Sequence, residues 1–433
     1  MVFLNFYIVT LGCKVNQYES EVMSEMLVKA GYMPSDSYLN ADICLINSCT
    51  VTATGDAKCR KVIHRINREN PSCIVILTGC MPQAFSEDTS IFEGCDIVLG
   101  NTSRREVVAA LEEYLVRKEP IIRITPHEKN EAFETMTLSR FQSRTRAYIK
   151  IEDGCNRFCT YCIIPYARGR VRSKRVEDIR IEAEKLAQNG FHEIVLVGIN
   201  LSAFGQDTGE ELCDAVSAVC AAEGVNRVRL GSIEPERMTR DVLQRLSREE
   251  KFCPHFHLSL QSGCDATLVR MRRHYTTNEY REIVENIREI FENSSVTTDV
   301  MVGFVGETEE EFRESLAFCD EIGFAKAHVF AYSRRKGTKA DQMDGQIPES
   351  VKNERSKIMI AHTNLTEKTF LSSQIGKTVS VLFETKDKDG LFEGYTENYT
   401  KVKVQSDADL SNRLLDVCIT QAKDDYCLGE LLR

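Results

Sequence analysis

The sequence predicts an α/β protein of several domains: an N-terminal parallel-sheet domain, a central partial β/α barrel and a small C-terminal all-β barrel. Three stretches of different pattern along the 433 residues support this prediction. Short apolar runs alternate with amphipathic stretches up to residue 118, and the alternation resumes in longer units between 146 and 335. From residue 373 the apolar residues follow a period of two, which is typical of strands with one buried face.

The first domain, residues 2–118, contains apolar runs that predict strands: FYIVTLG, ADICLINS, SCIVILTG and CDIVLGN. Amphipathic stretches separate them. Continuous apolar strands alternating with helices are typical of a parallel sheet that is covered on both faces. Residues 119–140 are polar and weakly patterned, so we expect a linker there.

The central domain, residues 141–371, contains six candidate strands with helical stretches between them: AYIKIED, EIVLVG, NRVRLG, HFHLSL, TTDVMVG and AHVFAY. Successive βα units predict a complete or partial β/α barrel, whose chemistry would lie at the carboxyl ends of its strands. The pattern of 348–372 predicts a closing helix.

The pattern of the last domain, 373–433, predicts a small barrel of short alternating strands.

Composition narrows the class of protein. The chain is 42% hydrophobic and 28% charged, as in ordinary globular proteins, and no apolar run approaches the roughly 18 residues that span a bilayer. The apolar start lacks the basic and small-residue features of a signal peptide, so we expect a cytoplasmic protein without a membrane partner. In a reducing compartment, 17 cysteines indicate metal binding or chemistry rather than disulfides.

The strongest motif is EDGCNRFCTYCIIPYARGR, in which Cys155, Cys159 and Cys162 have the spacing C-x3-C-x2-C. It follows the first predicted barrel strand. Cysteine thiolates ligate iron–sulfur clusters, and three of them leave one iron of a four-iron cluster open to another ligand. A structural zinc site is the alternative, but it requires a fourth ligand and usually two CxxC or CxxH pairs, and no second pair accompanies this motif.

This motif at the end of a first barrel strand resembles the radical S-adenosylmethionine superfamily. The resemblance implies a [4Fe–4S] cluster that binds S-adenosylmethionine through its open iron and initiates radical chemistry, while the protein supplies orientation. Tyr161 matches the family position beside the adenine. Residues after later strands would flank the cofactor by the same likeness, although a glycine there is more often only a turn: Gly198, Ser232, Glu234, Gln261, Gly303 and Gly306.

A second set of cysteines follows three predicted strands of the first domain. Cys13, Cys49 and Cys80 each come just after the end of an apolar run. Because the carboxyl ends of parallel strands share one edge, where ligands of open α/β sheets bind, these three side chains could meet. Placement alone leaves ligand and core residue equally open for them.

The segments TLGCKVNQYES, INSCTVT and LTGCMPQ are similar to the N-terminal domain of methylthiotransferases, a radical S-adenosylmethionine family. The order of a cysteine-trio domain, a radical barrel and a small RNA-binding barrel of the TRAM type also matches, over essentially the whole chain. The resemblance implies two [4Fe–4S] clusters and S-adenosylmethionine as cofactors. Cys13, Cys49 and Cys80 would hold the auxiliary cluster, which carries the sulfur to be transferred.

Lys14, Val15 and Asn16 after the first cysteine resemble the branch that modifies threonylcarbamoyladenosine in tRNA, as does the segment FEGYTENYTKV. The expected product is the 2-methylthio derivative next to the anticodon, and a single-stranded anticodon loop makes the base accessible. Isopentenyladenosine in tRNA and an aspartate of a ribosomal protein are the alternative substrates. An electron donor such as flavodoxin or ferredoxin is an expected partner, and a non-catalytic iron–sulfur RNA sensor is the alternative of another class.

The last 61 residues carry eight basic and eleven acidic side chains, so this small domain is too acidic to bind the RNA backbone by charge. Electrostatic contacts with RNA are therefore predicted from basic runs in the central domain. The run after the cysteine loop predicts contacts from Arg168, Arg170, Arg172 and Arg175. Further basic runs lie at 270–274 and 333–339, and a solvated face is the alternative for each run. Tyr395 and Tyr399 could stack on bases or belong to the core of the small barrel.

Overall fold

The computed structural model describes residues 4–129, 131–134, 138 and 145–432. The predicted domain ends at residues 2, 141 and 433 lie outside the described residues. The chain forms two compact units, each made of several segments. The first contains Met1–Gln142, Glu152–Lys174 and Ser333–Asp341, and the second contains Ser143–Ile151, Arg175–Tyr332 and Gln342–Arg433.

The first unit is built on a parallel sheet with the strand order β2-β1-β3-β4-β5-β6. Its strands are β1 (Asn5–Thr10), β2 (Met33–Pro34), β3 (Ile43–Ser48), β4 (Ile74–Gly79), β5 (Ile97–Leu99) and β6 (Ile121–Arg123). The helices of its N-terminal segment are α1 (Lys14–Lys29), α2 (Ala53–Glu69), α3 (Cys80–Ala84) and α4 (Val107–Arg117). Apolar clusters lie on both faces of this sheet, which confirms the predicted N-terminal fold.

Strand β6 lies in the segment for which a linker was expected. Ile121 pairs with Ile97 of β5 and is buried, so two isoleucines suffice to add one short strand to an existing sheet edge. A run this short carries no periodicity that a sequence pattern could detect.

The central region continues with β7 (Arg146–Lys150), β8 (Glu152–Asp153), β9 (Arg172–Ser173), β10 (Glu193–Val197), β11 (Arg227–Leu230), β12 (Ser232–Ile233), β13 (His255–Leu258), β14 (Ser295–Val302) and β15 (Lys326–Ala331). Its helices are α5 (Ile164–Arg168), α6 (Val176–Gln188), α7 (Leu212–Ala221), α8 (Arg240–Leu246), α9 (Asp265–Met271), α10 (Thr277–Ile290), α11 (Glu309–Ile322) and α12 (Glu349–Ser372). Helices α10 and α11 each begin with a capping box, formed by a threonine and the glutamate three residues later.

The second unit contains the parallel strands of the central domain, in the orders β11-β10-β7 and β12-β13-β14-β15. Only Gly231 separates β11 from β12, and its N–H donates to the carbonyl of Leu196 in β10. The two sheets therefore continue one another through this segment. This confirms a partial β/α barrel with the six predicted strands.

The small C-terminal barrel also belongs to the second unit. Its strands are β16 (Thr378–Lys386), β17 (Leu391–Thr396), β18 (Lys401–Gln405), β19 (Leu414–Ala422) and β20 (Cys427–Leu431), closed in the order β16-β17-β18-β20-β19. Alternate apolar side chains fill its interior, as the period of two predicted: Val381, Phe383, Val402, Val404, Val417 and Ile419. In the part of the chain that the structure describes, no helix is long and apolar enough to cross a membrane.

Candidate metal centres

Cys13, Cys49 and Cys80 lie at the carboxyl ends of three neighbouring strands of the first unit. Cys13 lies directly before α1 and after β1, Cys49 follows β3, and Cys80 is the first residue of α3 after β4. Since β1, β3 and β4 are adjacent and parallel, their ends bring the three cysteines to one edge of the sheet.

Two glycines allow the backbone to approach closely at this edge. Gly12 has a φ of +112°, and a Cβ there would lie 2.5 Å from the Cβ of Cys49. Gly79 has a φ of +100°, and a Cβ there would lie 2.4 Å from the carbonyl oxygen of Ser48. Both positions require glycine, for conformation and for space.

The three thiols share one electrostatic environment. Burial raises the pKa of the Cys13 thiol, and its neighbours Arg168 and Cys80 act on it in opposite directions. Burial and then Cys80 raise the pKa of Cys49 to about 12. Cys13 as a whole residue nevertheless keeps solvent-exposed surface.

The buried side chain of Asn16 connects Cys13 to the end of β3. The sequence motif did not predict this role for Asn16, the third residue after Cys13. Its Oδ1 accepts from the Cys13 thiol at 3.2 Å, and its Nδ2 donates to the carbonyl of Ser48 at 2.8 Å. Asn47 donates back to the carbonyl of Asn16 at 2.9 Å. The asparagine thus fixes α1 against the end of β3.

A buried charge network lies beside these cysteines. Glu19 of α1 accepts from Arg168 Nη1 at 2.5 Å and is 2.6 Å from Arg104 Nη1. Asp153 lies 3.2 Å from Arg104 Nη2. The side chains of these four residues are at most 3% exposed, so their charges compensate one another away from water.

The second trio lies on a loop that the antiparallel pair β8–β9 closes within the same unit. The Cys155 N–H donates to the carbonyl of Gly169 at 3.0 Å, and the Cys162 N–H donates to the carbonyl of Cys159 at 3.0 Å. Cys159 is buried, while Cys155 and Cys162 are half-buried. The loop is therefore compact, with its cysteines on a short stretch of fixed backbone.

The donor chemistry of both sets fits iron–sulfur clusters. Among the described residues, no three cysteine, histidine or acidic side chains surround a single point as they would around one metal ion. In a [4Fe–4S] cluster each cysteine binds a different iron, so wider spacing is needed. The Arg168 guanidinium that donates to the Cys80 sulfur at 3.2 Å provides a positive charge for an anionic thiolate site.

In the second unit, the residues predicted to flank the cofactor share the carboxyl edge of the parallel sheet. Ser232 begins the two-residue strand β12, and the others follow β10, β12, β13 and β14: Gly198, Glu234, Gln261, Gly303 and Gly306. Gln261 has a φ of +67°, an uncommon conformation for a residue with a side chain, and such outliers concentrate at ligand sites. Gly303, with a φ of +68°, donates its N–H to the Glu307 carboxylate at 2.7 Å. Glu234 forms an ion pair with Arg273. These residues lie at the edge where the ligands of β/α barrels bind.

Comparison with known families assigns all three regions. Residues 5–100 match the uncharacterized protein family UPF0004, residues 149–319 match the radical SAM superfamily, and residues 372–432 match the TRAM domain.

Curated relatives extend the match to nearly the full chain. A protein of Bacillus subtilis named threonylcarbamoyladenosine tRNA methylthiotransferase MtaB is 38% identical over 98% of this chain and 95% of its own. The chain belongs to the radical S-adenosylmethionine methylthiotransferase family. Another relative, of Aquifex aeolicus and the same name, is 37% identical over 91% of this chain and 95% of its own. The tRNA-2-methylthio-N(6)-dimethylallyladenosine synthase of Clostridium botulinum is 34% identical over 98% of this chain and 96% of its own.

Among solved structures, a radical S-adenosylmethionine methyltransferase, TsrM, from Kitasatospora setae superposes with a TM-score of 0.59 and 13% identity. The match covers 79% of this chain and 74% of the other. At this identity the likeness concerns the fold alone.

As a member of this methylthiotransferase family, the protein is an enzyme whose cofactors are two [4Fe–4S] clusters and S-adenosylmethionine. The alternative of a non-catalytic iron–sulfur sensor is thereby excluded. The assignment of single residues to these cofactors remains a prediction.

Two of the predicted RNA contacts of this methylthiotransferase are wrong. Arg168 is fully buried and pairs with Glu19, and Arg172 is buried and donates to the carbonyls of Arg168 and Arg170. Neither guanidinium can reach a phosphate. Arg170 and Arg175 are exposed, so their predicted role is compatible with the structure.

The two tyrosines of the TRAM barrel are half-buried and pack against residues of the central strands. Tyr399 stacks on Tyr395 at 4.8 Å and on His255 at 4.7 Å, so both of its faces are covered. Arg146 lies over both tyrosine rings, and Arg229 lies over Tyr399. Tyr399 therefore packs between Tyr395 and His255, where the barrel contacts the central strands.

These contacts attach the TRAM barrel to the amino-terminal edge of the parallel sheet. Arg227, the first residue of β11, donates to the carbonyls of Ser380 at 2.6 Å and Tyr395 at 3.0 Å. Ser295, the first residue of β14, donates to the carbonyl of Asn398 at 2.5 Å. Because the predicted cofactor residues lie at the opposite, carboxyl-terminal edge, the tyrosines cannot stack on a base undergoing reaction there.

Proposed function

We propose that this methylthiotransferase converts N6-threonylcarbamoyladenosine next to the anticodon of tRNA to its 2-methylthio derivative. The observation that carries the proposal is the presence of both cysteine sets in one compact unit of a chain 38% identical to a threonylcarbamoyladenosine tRNA methylthiotransferase. Lys14, Val15 and Asn16 support the same branch, as the sequence predicts.

Cys155, Cys159 and Cys162 are the proposed ligands of the cluster that binds S-adenosylmethionine, and Cys13, Cys49 and Cys80 are those of the auxiliary cluster. When bound, these groups supply a radical, a sulfur atom and a methyl group for replacement of an unactivated C–H bond by S–CH3. The chain's part is to hold three thiolates at each site, and Arg168 Nε donates a hydrogen bond to the Cys80 sulfur.

S-adenosylmethionine is proposed to contact the strand-end residues of the second unit, Gly198, Ser232, Glu234, Gln261 and Gly303. Tyr161 of the first unit is proposed as a contact of the cofactor on the family likeness alone. The turns at Gln261 and Gly303 hold their backbone in left-handed conformations, which allow close approach of a ligand to main-chain groups.

The RNA is proposed to lie against exposed arginines that follow the cysteine loop. Arg170 is exposed, and Arg175 is 60% exposed with Glu210 3.6 Å away. Contacts of this kind are electrostatic and neutralise phosphates, so the affinity for tRNA would fall with salt. A flavodoxin or ferredoxin as electron donor and a cytoplasmic location complete the proposal. The domain limits 2–118, 141–371 and 373–433 are proposed from the sequence pattern, and β6 extends the sheet of the first domain to Arg123.

Mass spectrometry of tRNA nucleosides tests the function directly. Cells lacking this protein should lose 2-methylthio-N6-threonylcarbamoyladenosine and accumulate the unmodified precursor, and re-expression should restore the product. Loss of the dimethylallyl analogue instead would assign the protein to the branch that modifies dimethylallyladenosine. A synthase of that branch, from Clostridium botulinum, is 34% identical to this chain. Unchanged tRNA would refute both.

A further inference from the structure

We propose that Arg168 is a positioning residue of the auxiliary centre: its guanidinium fixes the Cys80 sulfur and stabilises negative charge on it. The inference rests on the proposed role of Cys80 as a cluster ligand. It assigns a function to a side chain that the sequence pattern places among RNA contacts.

The geometry of Arg168 leaves its guanidinium one orientation. Nε donates to the Cys80 Sγ at 3.2 Å, and Nη1 and Nη2 donate to the two carboxylate oxygens of Glu19 at 2.5 and 3.0 Å. Nη2 also donates to the Asn16 Oδ1 at 3.1 Å, the same atom that accepts from the Cys13 thiol. A bidentate carboxylate pair fixes a guanidinium plane, so Glu19 directs the Nε–H at Cys80.

The backbone around Arg168 belongs to the loop of the other trio. The carbonyl of Gly169 accepts from the Cys155 N–H at 3.0 Å, and the carbonyl of Ala167 accepts from Asn101 Nδ2 at 2.7 Å. One residue therefore connects a ligand of each proposed cluster, through its side chain to Cys80 and through its neighbour to Cys155.

A hydrogen bond from a cation to a ligating sulfur favours the more negative, reduced state of a cluster and raises its reduction potential. Lysine keeps the charge of arginine but lacks the planar fork, so it cannot bind Glu19 bidentately and donate to Cys80 together. A purely structural role would instead require only that the charge of Glu19 be balanced.

The test isolates the auxiliary centre in the full chain by replacing Cys155, Cys159 and Cys162 with alanine. After anaerobic reconstitution, iron content and the midpoint potential of the remaining cluster are measured by potentiometric EPR. The variants are Arg168→Lys and the charge-balanced Glu19→Gln/Arg168→Gln. The matched control is Arg105→Gln, which removes an exposed arginine of the same unit.

In the double variant we expect the equilibrium constant for reduction of the cluster to fall about tenfold. This corresponds to a negative shift of the midpoint potential of about 59 mV for a one-electron couple. Arg168→Lys should shift in the same direction, and Arg105→Gln should not shift. Loss of iron from a variant that keeps its thermal unfolding midpoint would equally support a positioning role. Unchanged iron content and unchanged midpoint potential in both variants would overturn the proposed role of Arg168 but not the proposed cluster ligands. An iron-free parent would instead refute the proposed ligands, and the inference with them.

Discussion

Replacing Glu19 with glutamine removes the central negative charge of the buried network without changing side-chain size. Glu19 is inaccessible to solvent and lies 2.5 Å from Arg168 and 2.6 Å from Arg104. The variant leaves both guanidinium groups buried with Asp153 and Glu134 as their remaining acidic partners.

Removal of one partner from a buried ion pair costs about 3–5 kcal/mol. Glutamine can still accept a hydrogen bond, so we expect about 3 kcal/mol, at the lower end of this range. At 1.4 kcal/mol for each factor of ten, this corresponds to roughly 100-fold faster exchange of protected amides in the first unit. Hydrogen–deuterium exchange, followed in peptides from β3 and β4 of the reconstituted protein, measures this change in exchange rate.

Glu25→Gln is the matched control, because Glu25 lies on the same helix and pairs with Lys29 at 2.6 Å. Lys29 is 72% exposed and Glu25 16%, so water screens this i,i+4 pair from its lysine side. Such a pair contributes about 0.5 kcal/mol, so exchange should become about twofold faster. Equal effects of the two substitutions would show that the buried network does not stabilise this unit.

Three further predictions concern single sites. Gly79→Ala should lower bound iron by about half, because a Cβ would lie 2.4 Å from the Ser48 carbonyl and displace Cys80. Tyr399→Leu should destabilise the second unit by about 2 kcal/mol, seen in thermal unfolding, while tRNA affinity in filter binding stays within about twofold. Arg170→Gln should weaken tRNA binding and reduce the salt slope by about 1 without changing stability.

Each of these three predictions has a result that would contradict it. Gly31→Ala is the control for Gly79, since Gly31 has a φ of +93° but no atom near its Cβ position, so equal iron loss would rule out the steric reason. Weaker tRNA binding by Tyr399→Leu with unchanged unfolding would restore the stacking interpretation. Unchanged affinity of Arg170→Gln at low salt would remove Arg170 from the RNA surface.

Much of the fold follows from local patterns. Long apolar runs such as that of β4 specify buried parallel strands, and parallel strands place Cys13, Cys49 and Cys80 at one edge without further information. Strand β6 escaped prediction because a run of two isoleucines has no period and gains its stability from the existing edge of β5.

Side-chain roles that depend on distant partners could not be predicted. Arg168 belongs to a basic run, and its acidic partner Glu19 is 149 positions away, so no local pattern distinguishes a buried arginine from a solvated one. Tyr399 likewise gains its packing from His255 and Arg146, which are brought together only by the fold. Asn16 could have been suspected, as an asparagine that follows a candidate ligand at the start of an amphipathic helix.

The most direct test of the central claim is the iron content of three anaerobically reconstituted proteins. The natural chain should bind about eight irons, in two four-iron clusters. Replacement of Cys13, Cys49 and Cys80 by alanine should leave about four irons and S-adenosylmethionine cleavage, whereas replacement of Cys155, Cys159 and Cys162 should leave about four irons without cleavage. A natural chain with about four irons, unaffected by loss of the first trio, would contradict the account.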